Sequence, residues 1–166
     1  MLFRSERHEV RRYPIGDPAG HVVAGGNGKG EGLHQLNEPY YLAVDREHAV
    51  YVADSRNHRV MKWAQGSQQG SVVAGGRGEG EFAEQLAFPN GVAIDTSGNV
   101  YVAEWKNHRV TRWLNGAHMG EVIIGGSGKG CGPSQLRYPT GLFLDHRGQI
   151  YVADWKNNRV QRFSRE

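Results

Sequence analysis

The chain repeats itself every 50 residues, and this repeat limits its possible folds more than any other feature of the sequence. Residues 22–26 read VVAGG, and the same or similar residues return at 72–76 and 122–126. The register holds without a gap along the chain. Other residues that keep it are Gln35, Gln85 and Gln135; Pro39, Pro89 and Pro139; and Asp45, Asp95 and Asp145. A period of about 40–50 residues with short strands is typical of propeller blades.

Within one repeat, apolar and polar residues follow the pattern of short strands separated by turns. We predict strand a over residues 41–45, strand b over 49–54, strand c over 59–63 and strand d over 71–74. No segment has the 3.6-residue period of a helix, and the 24 glycines would disfavour helices strongly. The predicted fold class is therefore all-β, a β-propeller of four-stranded antiparallel blades with about three 50-residue repeats.

The register divides the chain into fourteen strands. We expect a partial blade b-c-d in residues 1–30, whole blades in 31–80 and 81–130, and a partial blade a-b-c in 131–166. Because a single blade cannot bury both of its faces, neighbouring blades must supply the core to one another.

Composition excludes several classes of protein. The chain has 166 residues, a formal net charge of +3 and one cysteine, Cys131, so it cannot form an intramolecular disulfide or a cysteine-built zinc site. No apolar run reaches the roughly 18–20 residues that span a bilayer, and the N-terminus lacks the apolar core of a signal peptide. We therefore expect no membrane partner. The charge permits an anionic partner without requiring one.

A charged loop motif follows strand b in each repeat. It reads DSRNHRV from Asp54, EWKNHRV from Glu104 and DWKNNRV from Asp154. Together with the preceding YVA and the PNGVAID of residues 89–95, it closely resembles the NHL repeat. The resemblance covers essentially the whole chain and implies a propeller, usually six-bladed, that commonly binds protein or RNA. The chain would then be half of a six-bladed ring. Departures from the pattern are Tyr41, Glu104 and Asn158, which replace Gly, Asp and His.

We predict that the motif loop is structural in origin. Its acidic and arginine residues can pair across the loop, as Asp54–Arg59, Glu104–Arg109 and Asp154–Arg159. In the N-terminal partial repeat the same positions hold Arg4 and Glu9, so the charges are swapped but the pair survives. Asn57, Asn107 and Asn157 are expected to adopt the left-handed conformation, which Asn tolerates.

The sequence supports a phosphate-binding loop, a metal site or a catalytic site less well than it supports a structural role for these motifs. Residues 25–30 are rich in glycine but lack the Walker pattern, and no helix follows them, so we expect a connection between blades with positive φ. His58 and His108 could bind a metal, but Asn158 breaks the set. The metal ligands of the amidating-lyase branch would fall at Tyr40, Asn90 and Thr140, none of which is His. We predict no catalytic residue, cofactor or metal, with a propeller lyase or lactonase as the less favoured alternative.

Candidate binding residues lie in the b–c loops. They are Arg56, His58, Trp105, Lys106, His108, Trp155 and Lys156. Lys29, Arg77 and Lys129 join them from the d–a connectors, where Glu31, Glu79 and Glu81 dilute the positive charge. An aromatic ring beside a cation can grip a peptide or stack on a base. The competing interpretation is that each Trp covers the edge of the neighbouring blade.

The predicted function is that of a non-enzymatic scaffold that binds a protein or peptide on this loop face, and the alternative is binding of single-stranded RNA. We also expect a homodimer that completes six blades, because three repeats cannot close a ring. In it, residues 20–24 would complete the partner's strands within 141–163, and residues 1–16 would be displaced or mobile. The rival expectation is a fragment of a longer propeller.

Overall fold

The computed structural model describes residues 2–164, which form four antiparallel sheets in chain order. The first contains β1 (Leu2–Arg4), β2 (Glu9–Arg12) and β3 (His21–Gly25). The second contains β4 (Pro39–Val44), β5 (Val50–Asp54), β6 (Arg59–Trp63) and β7 (Ser71–Gly75). The third contains β8 (Pro89–Ile94), β9 (Val100–Glu104), β10 (Arg109–Trp113) and β11 (Gly120–Gly125). The fourth contains β12 (Pro139–Leu144), β13 (Ile150–Asp154) and β14 (Arg159–Phe163).

These sheets confirm the predicted all-β propeller fold. Strand a begins earlier than predicted, at Pro39 rather than residue 41, because Pro39 already pairs with Asp54 across a bulge. Short 3₁₀ helices, which the sequence pattern did not predict, follow three of the b strands at Ser5–Arg7, Ser55–Asn57 and Trp155–Asn157.

The N-terminal strands are paired in this single chain, and their displacement in a dimer, expected for residues 1–16, stays a prediction. β1 pairs with β2, and β2 with β3, in antiparallel register. Val10 of β2 is fully buried in a cluster that includes Met61 and Trp63 of the second sheet, and this packing holds the segment in place. Met1 lies outside the described residues.

The hydrophobic core lies between successive sheets. Three clusters of buried side chains join the first sheet to the second, the second to the third and the third to the fourth. Each fully buried apolar side chain contributes about 1.5–3 kcal/mol by leaving water. The interfaces between blades are thus the core of the protein, as a repeat architecture requires.

The connector between blades begins with glycines of positive φ, as predicted. Gly75 has φ +68°, and a Cβ added to it would lie 2.4 Å from the carbonyl oxygen of His58. The connector crosses to the next sheet beside the b–c loops. We call the surface formed by these connectors and loops the loop face. No helix among residues 2–164 is long and apolar enough to cross a membrane.

Candidate functional site on the loop face

The acidic residue of each motif fastens the connector to the b–c loop. In the second sheet Asp54 is completely buried; it accepts the backbone N–H of Asn37 at 2.6 Å and the Nε–H of Arg59 at 2.7 Å. Arg59 also donates to the carbonyls of Glu31, Gly32 and Gln35. The predicted ion pair therefore exists, but it is buried and ties together two segments of the loop face.

The other two motifs repeat this arrangement. Arg109 donates to both carboxylate oxygens of Glu104, at 2.8 and 3.3 Å, and Arg159 donates to Asp154 at 2.8 Å. Burial raises the pKa of Asp54 and Glu104 above the usual range despite their arginines. Burial also opposes ionisation of Asp154, but hydrogen bonds from Asn157, Arg137 and Arg159 hold its pKa below the usual value. The third motif also differs from the other two in burial, because Arg159 is more exposed to solvent than Arg59 and Arg109 are.

The swapped pair predicted for the N-terminal repeat includes the side chain of Arg4, which lies outside the described side chains. The backbones of Arg4 and Glu9 are opposite one another in the β1–β2 ladder. Glu9 accepts the Nε–H of Arg11 at 2.8 Å.

The prediction that Asn57, Asn107 and Asn157 are left-handed is wrong. The left-handed residue is the next one in each repeat, with φ from 51° to 53° at His8, His58, His108 and Asn158. Each asparagine instead donates from Nδ2 at 2.8 Å to the carbonyl of Gly30, Gly80 or Gly130 in its connector. Each Nδ2 also donates to the acidic residue of its own motif, at 2.6 to 2.8 Å, so the asparagine side chain joins the connector to the b–c loop.

The motif histidines join one blade to the next. Nδ1 of His58 accepts the backbone N–H of Phe88 at 3.3 Å, and Nδ1 of His108 accepts that of Tyr138 at 3.1 Å. Each imidazole also meets the aromatic ring of its partner edge to face. Burial lowers the pKa of both histidines, and both sit among cationic neighbours. The geometry places His58 and His108 in the interface between blades.

The two loop tryptophans have different environments. Trp105 is half-buried, with its ring 4.5 Å from that of Tyr138 in the next blade. Ser5 and Ser55 occupy the same repeat position and also contact the next blade, through Pro39 and Asn90. Trp155 is 50% exposed. Trp105 therefore fits the interpretation that the loop tryptophan packs on the edge of the neighbouring blade, and the exposed Trp155 does not.

The column of cations predicted along the b–c loops is present but unevenly neutralised. Arg56 pairs with Glu38 at 2.9 Å, and Lys106 pairs with Glu79. Lys156 instead lies over the ring of Trp155, with Nζ 4.2 Å from its centroid. Only the third repeat thus leaves its loop cation without a carboxylate among the described side chains.

A cavity of about 820 Å³ opens where the b–c loops meet the innermost strands. Three of the predicted residues line it: Arg56, Trp105 and Trp155. Residues that the sequence analysis did not select also line it: Glu38, Tyr40, Phe88, Asn90 and Thr140. The sequence feature that could have identified these residues is their position beside the repeated prolines at the start of strand a. Aromatic walls with a few polar groups suit a peptide or a planar ligand.

No group of three or more His, Cys, Asp or Glu side chains within residues 2–164 could hold a metal ion. Cys131 is a free, exposed thiol. Tyr40, Asn90 and Thr140 instead give the innermost strands a hydroxyl or an amide at the cavity. These groups can donate and accept hydrogen bonds.

Comparison with known structures identifies the architecture. The chain is similar to an auxiliary nutrient binding protein from Bacteroides thetaiotaomicron VPI-5482, at 14% identity and a TM-score of 0.69 over 94% of this chain and 42% of that one. It is similar to a chain of a nidogen/laminin complex, at 18% identity and a TM-score of 0.70 over 96% and 52%. It is also similar to a streptogramin B lyase, at 10% identity and a TM-score of 0.55 over 98% and 46%. The chain spans about half the length of these proteins.

No curated protein sequence shows significant similarity to this chain. The profile of the NHL repeat, however, matches residues 86–113 and 136–163. Both matches begin at the connector leucine that recurs in each repeat and end with strand c, so they contain strands a to c and the loop motif described above. Residues 86–113 and 136–163 are thus NHL repeats, and the chain has the fold of a β-propeller.

Proposed function

We propose that this protein is a non-enzymatic scaffold that binds a protein or peptide segment in the loop-face cavity. The observation that carries the proposal is the aromatic lining, in which Phe88, Trp105 and Trp155 surround a concave space of about 820 Å³. Buried aromatic anchors surrounded by polar groups supply most of the affinity of typical interfaces. The complex of nidogen with laminin is consistent with protein binding by a related fold.

Binding of single-stranded RNA remains the second candidate. It is favoured by Trp155, whose exposed ring lies beside Lys156 and could stack on a base. The carboxylates that neutralise Arg56 and Lys106 count against a continuous track for a phosphate backbone.

The test is selection from a displayed peptide library with the full chain, followed by titration of the selected peptides. The double variant Trp105→Ala/Trp155→Ala should weaken binding by about tenfold or more, as expected for hot-spot aromatics. Leu114→Ala, an exposed residue in the β10–β11 turn, is the control and should leave binding unchanged. If the double variant unfolds, Trp155→Ala alone repeats the test at an exposed ring. Undiminished binding contradicts the proposal, as does a preference for single-stranded RNA.

We also propose that the outer face of the fourth sheet is covered by a second copy of the chain. Val160 on this face is 69% exposed, whereas the equivalent Val10, Val60 and Val110 are fully buried. Further blades of a longer polypeptide would cover the same face, and they are the alternative. Exposed apolar side chains at a position that the other blades bury are typical of an association site.

A further inference from the structure

Charge is distributed unequally among the three repeats of the loop face. We compared five equivalent positions: 29, 31, 37, 38 and 56 in the first repeat and those 50 and 100 residues later. The first repeat has two cations and two carboxylates at these positions, and the second has one cation and two carboxylates. The third has three cations and no carboxylate, because Cys131 and Tyr138 replace the acidic residues. The positive charge of the loop face is therefore concentrated in one blade.

The three cations of this blade are Lys129, Arg137 and Lys156, and all three are exposed. The backbone N–H of Lys156 donates to the carbonyl of Arg137 at 3.1 Å, which places these two residues side by side. Lys129 occupies the repeat position of Glu79, and Glu79 contacts Lys106, the equivalent of Lys156. Lys129 and Arg137 both act on His108, whose pKa they lower together with burial. The cations therefore share one small area.

The carboxylates that neutralise the other two loops come from earlier in the chain. Glu38 precedes Arg56 by 18 residues, and Glu79 precedes Lys106 by 27 residues. The equivalent positions for Lys156 are Tyr138 and Lys129, both of which the structure describes. The buried Asp154 is the nearest acid in the motif, and it is already engaged by Arg159 and Asn157. The third repeat thus lacks a counter-charge where the other repeats have one.

We propose that Lys129, Arg137 and Lys156 form a binding site for the carboxylate side chains of a short acidic peptide segment. This inference rests on the proposed function and names the chemistry of the partner. Three cations that no described carboxylate neutralises attract an anion strongly, and hydrogen bonds between charged groups are about twice as strong as neutral ones. The adjoining ring of Trp155 provides an apolar wall beside Lys156.

A short acidic peptide fits this surface better than a nucleic acid does. A single-stranded nucleic acid follows a positively charged groove over several nucleotides. Here the loop face becomes neutral or acidic within one blade, because Glu79 and Glu81 stand at the positions of Lys129 and Cys131. An extended phosphate backbone would meet these carboxylates, whereas a few acidic side chains would not.

The experiment is fluorescence polarisation of the full chain with three labelled probes of equal length. They are a peptide of Asp and Glu with Gly and Ser spacers, its Asn/Gln counterpart and an oligouridine RNA. We expect the acidic peptide to bind at least about tenfold more tightly than its neutral counterpart, with affinity falling as salt screens the charges. We expect Lys129→Glu/Lys156→Glu to weaken this binding by about tenfold or more.

Lys29→Glu is the matched control, because Lys29 has the same repeat position as Lys129 in a blade whose loop cation is already paired. It should change the affinity less than about twofold, as a change outside the site does. Circular dichroism confirms that each variant is folded. Equal binding of the acidic and neutral peptides overturns the proposal, as does an unchanged affinity of the double variant, or RNA binding in place of peptide binding.

The two proposals fail in distinguishable ways. If library-selected peptides require Trp155 but the acidic probe does not bind, the carboxylate site is wrong and the scaffold function stands. If the library yields no peptide that binds and the acidic probe does not bind either, both proposals are wrong.

Discussion

His108 shows how a single side chain joins two blades of this propeller. Its Nδ1 must be unprotonated to accept the N–H of Tyr138, so the interface requires the neutral imidazole. The charged groups that face it are Lys129 and Arg137, which also oppose protonation. His58 differs, because Glu79 and Asp54 face it as well as Arg56 and Lys106. Of the two histidines, His108 is therefore the clearer case of a contact between blades whose strength depends on pH.

We predict that stability decreases in acid through His108. Burial and the two cations lower its pKa below the ordinary value of 6.5, so below about pH 6.5 the unfolded chain binds more protons than the folded chain. Its contribution to the free energy of unfolding is complete above that pH. The contribution is lost as the pH falls from 6.5 through the folded-state pKa.

Urea unfolding at pH 7.5 and 5.5 measures this effect. His108→Asn copies the natural Asn158, which has the same left-handed backbone, and should reduce the difference between the two pH values. The exposed His146→Asn is the control and should retain it. An identical pH dependence in wild type and His108→Asn would contradict a role for this residue.

The glycines of the connector that follows strand d are required for different reasons at different positions. Gly75 combines a φ of +68° with a carbonyl oxygen 2.4 Å from any added Cβ. Gly78 has a φ of +81°, but open space surrounds its Cα hydrogens. A side chain at residue 75 is therefore disfavoured by both the backbone conformation and a steric clash, whereas one at residue 78 is disfavoured by the backbone conformation alone.

We predict that Gly75→Ala destabilises the chain by roughly 3 kcal/mol, since backbone strain and a steric clash act together. Gly78→Ala should cost only about 1 kcal/mol, the usual penalty for a left-handed residue with a side chain. Chemical denaturation of the two variants measures the difference. Equal losses of stability would show that the contact with His58 carries no weight.

The fourth sheet has an apolar face that no other sheet of this chain covers within the described residues. The fourth sheet exposes Val160 and Phe143, whereas the other sheets bury the corresponding apolar faces against a neighbour. Each buried valine side chain would contribute at least about 1.5 kcal/mol. Covering this face is therefore favourable.

We predict that the 166-residue chain is a dimer in solution, with twice the 18.4 kDa mass of one chain. Val160→Lys should shift the chain towards the monomer, because it places a charge in the apolar contact. Val122→Lys, a half-exposed valine in β11, is the control and should leave the dimer intact. Light scattering measures the mass. A monodisperse monomer with a cooperative thermal transition would contradict the dimer.

The strands could be predicted from the sequence because their signals are local and recur at a fixed spacing. Alternation of apolar residues indicated β5 and β6 within a residue of their observed bounds. The acid–arginine pair could also be predicted, since both members flank one short turn. The role of Asn57 could not, because one of its hydrogen-bond partners, Gly30, lies 27 residues away in the connector.

The sequence by itself determined the repeat, the strand order and the residues that form the b–c loops, because the 50-residue register carries each of them. Only the tertiary structure decided which of those loop residues are available. Trp105 packs against Tyr138 and still lines the cavity, and His108 is hydrogen-bonded to Tyr138, because the next blade packs against that loop. Arg56 and Lys106 are neutralised by carboxylates far from them in the chain, whereas no carboxylate within residues 2–164 pairs with Lys156. Contacts between blades depend on which residue each repeat places opposite its neighbour, and a periodic pattern read along one chain does not contain that information.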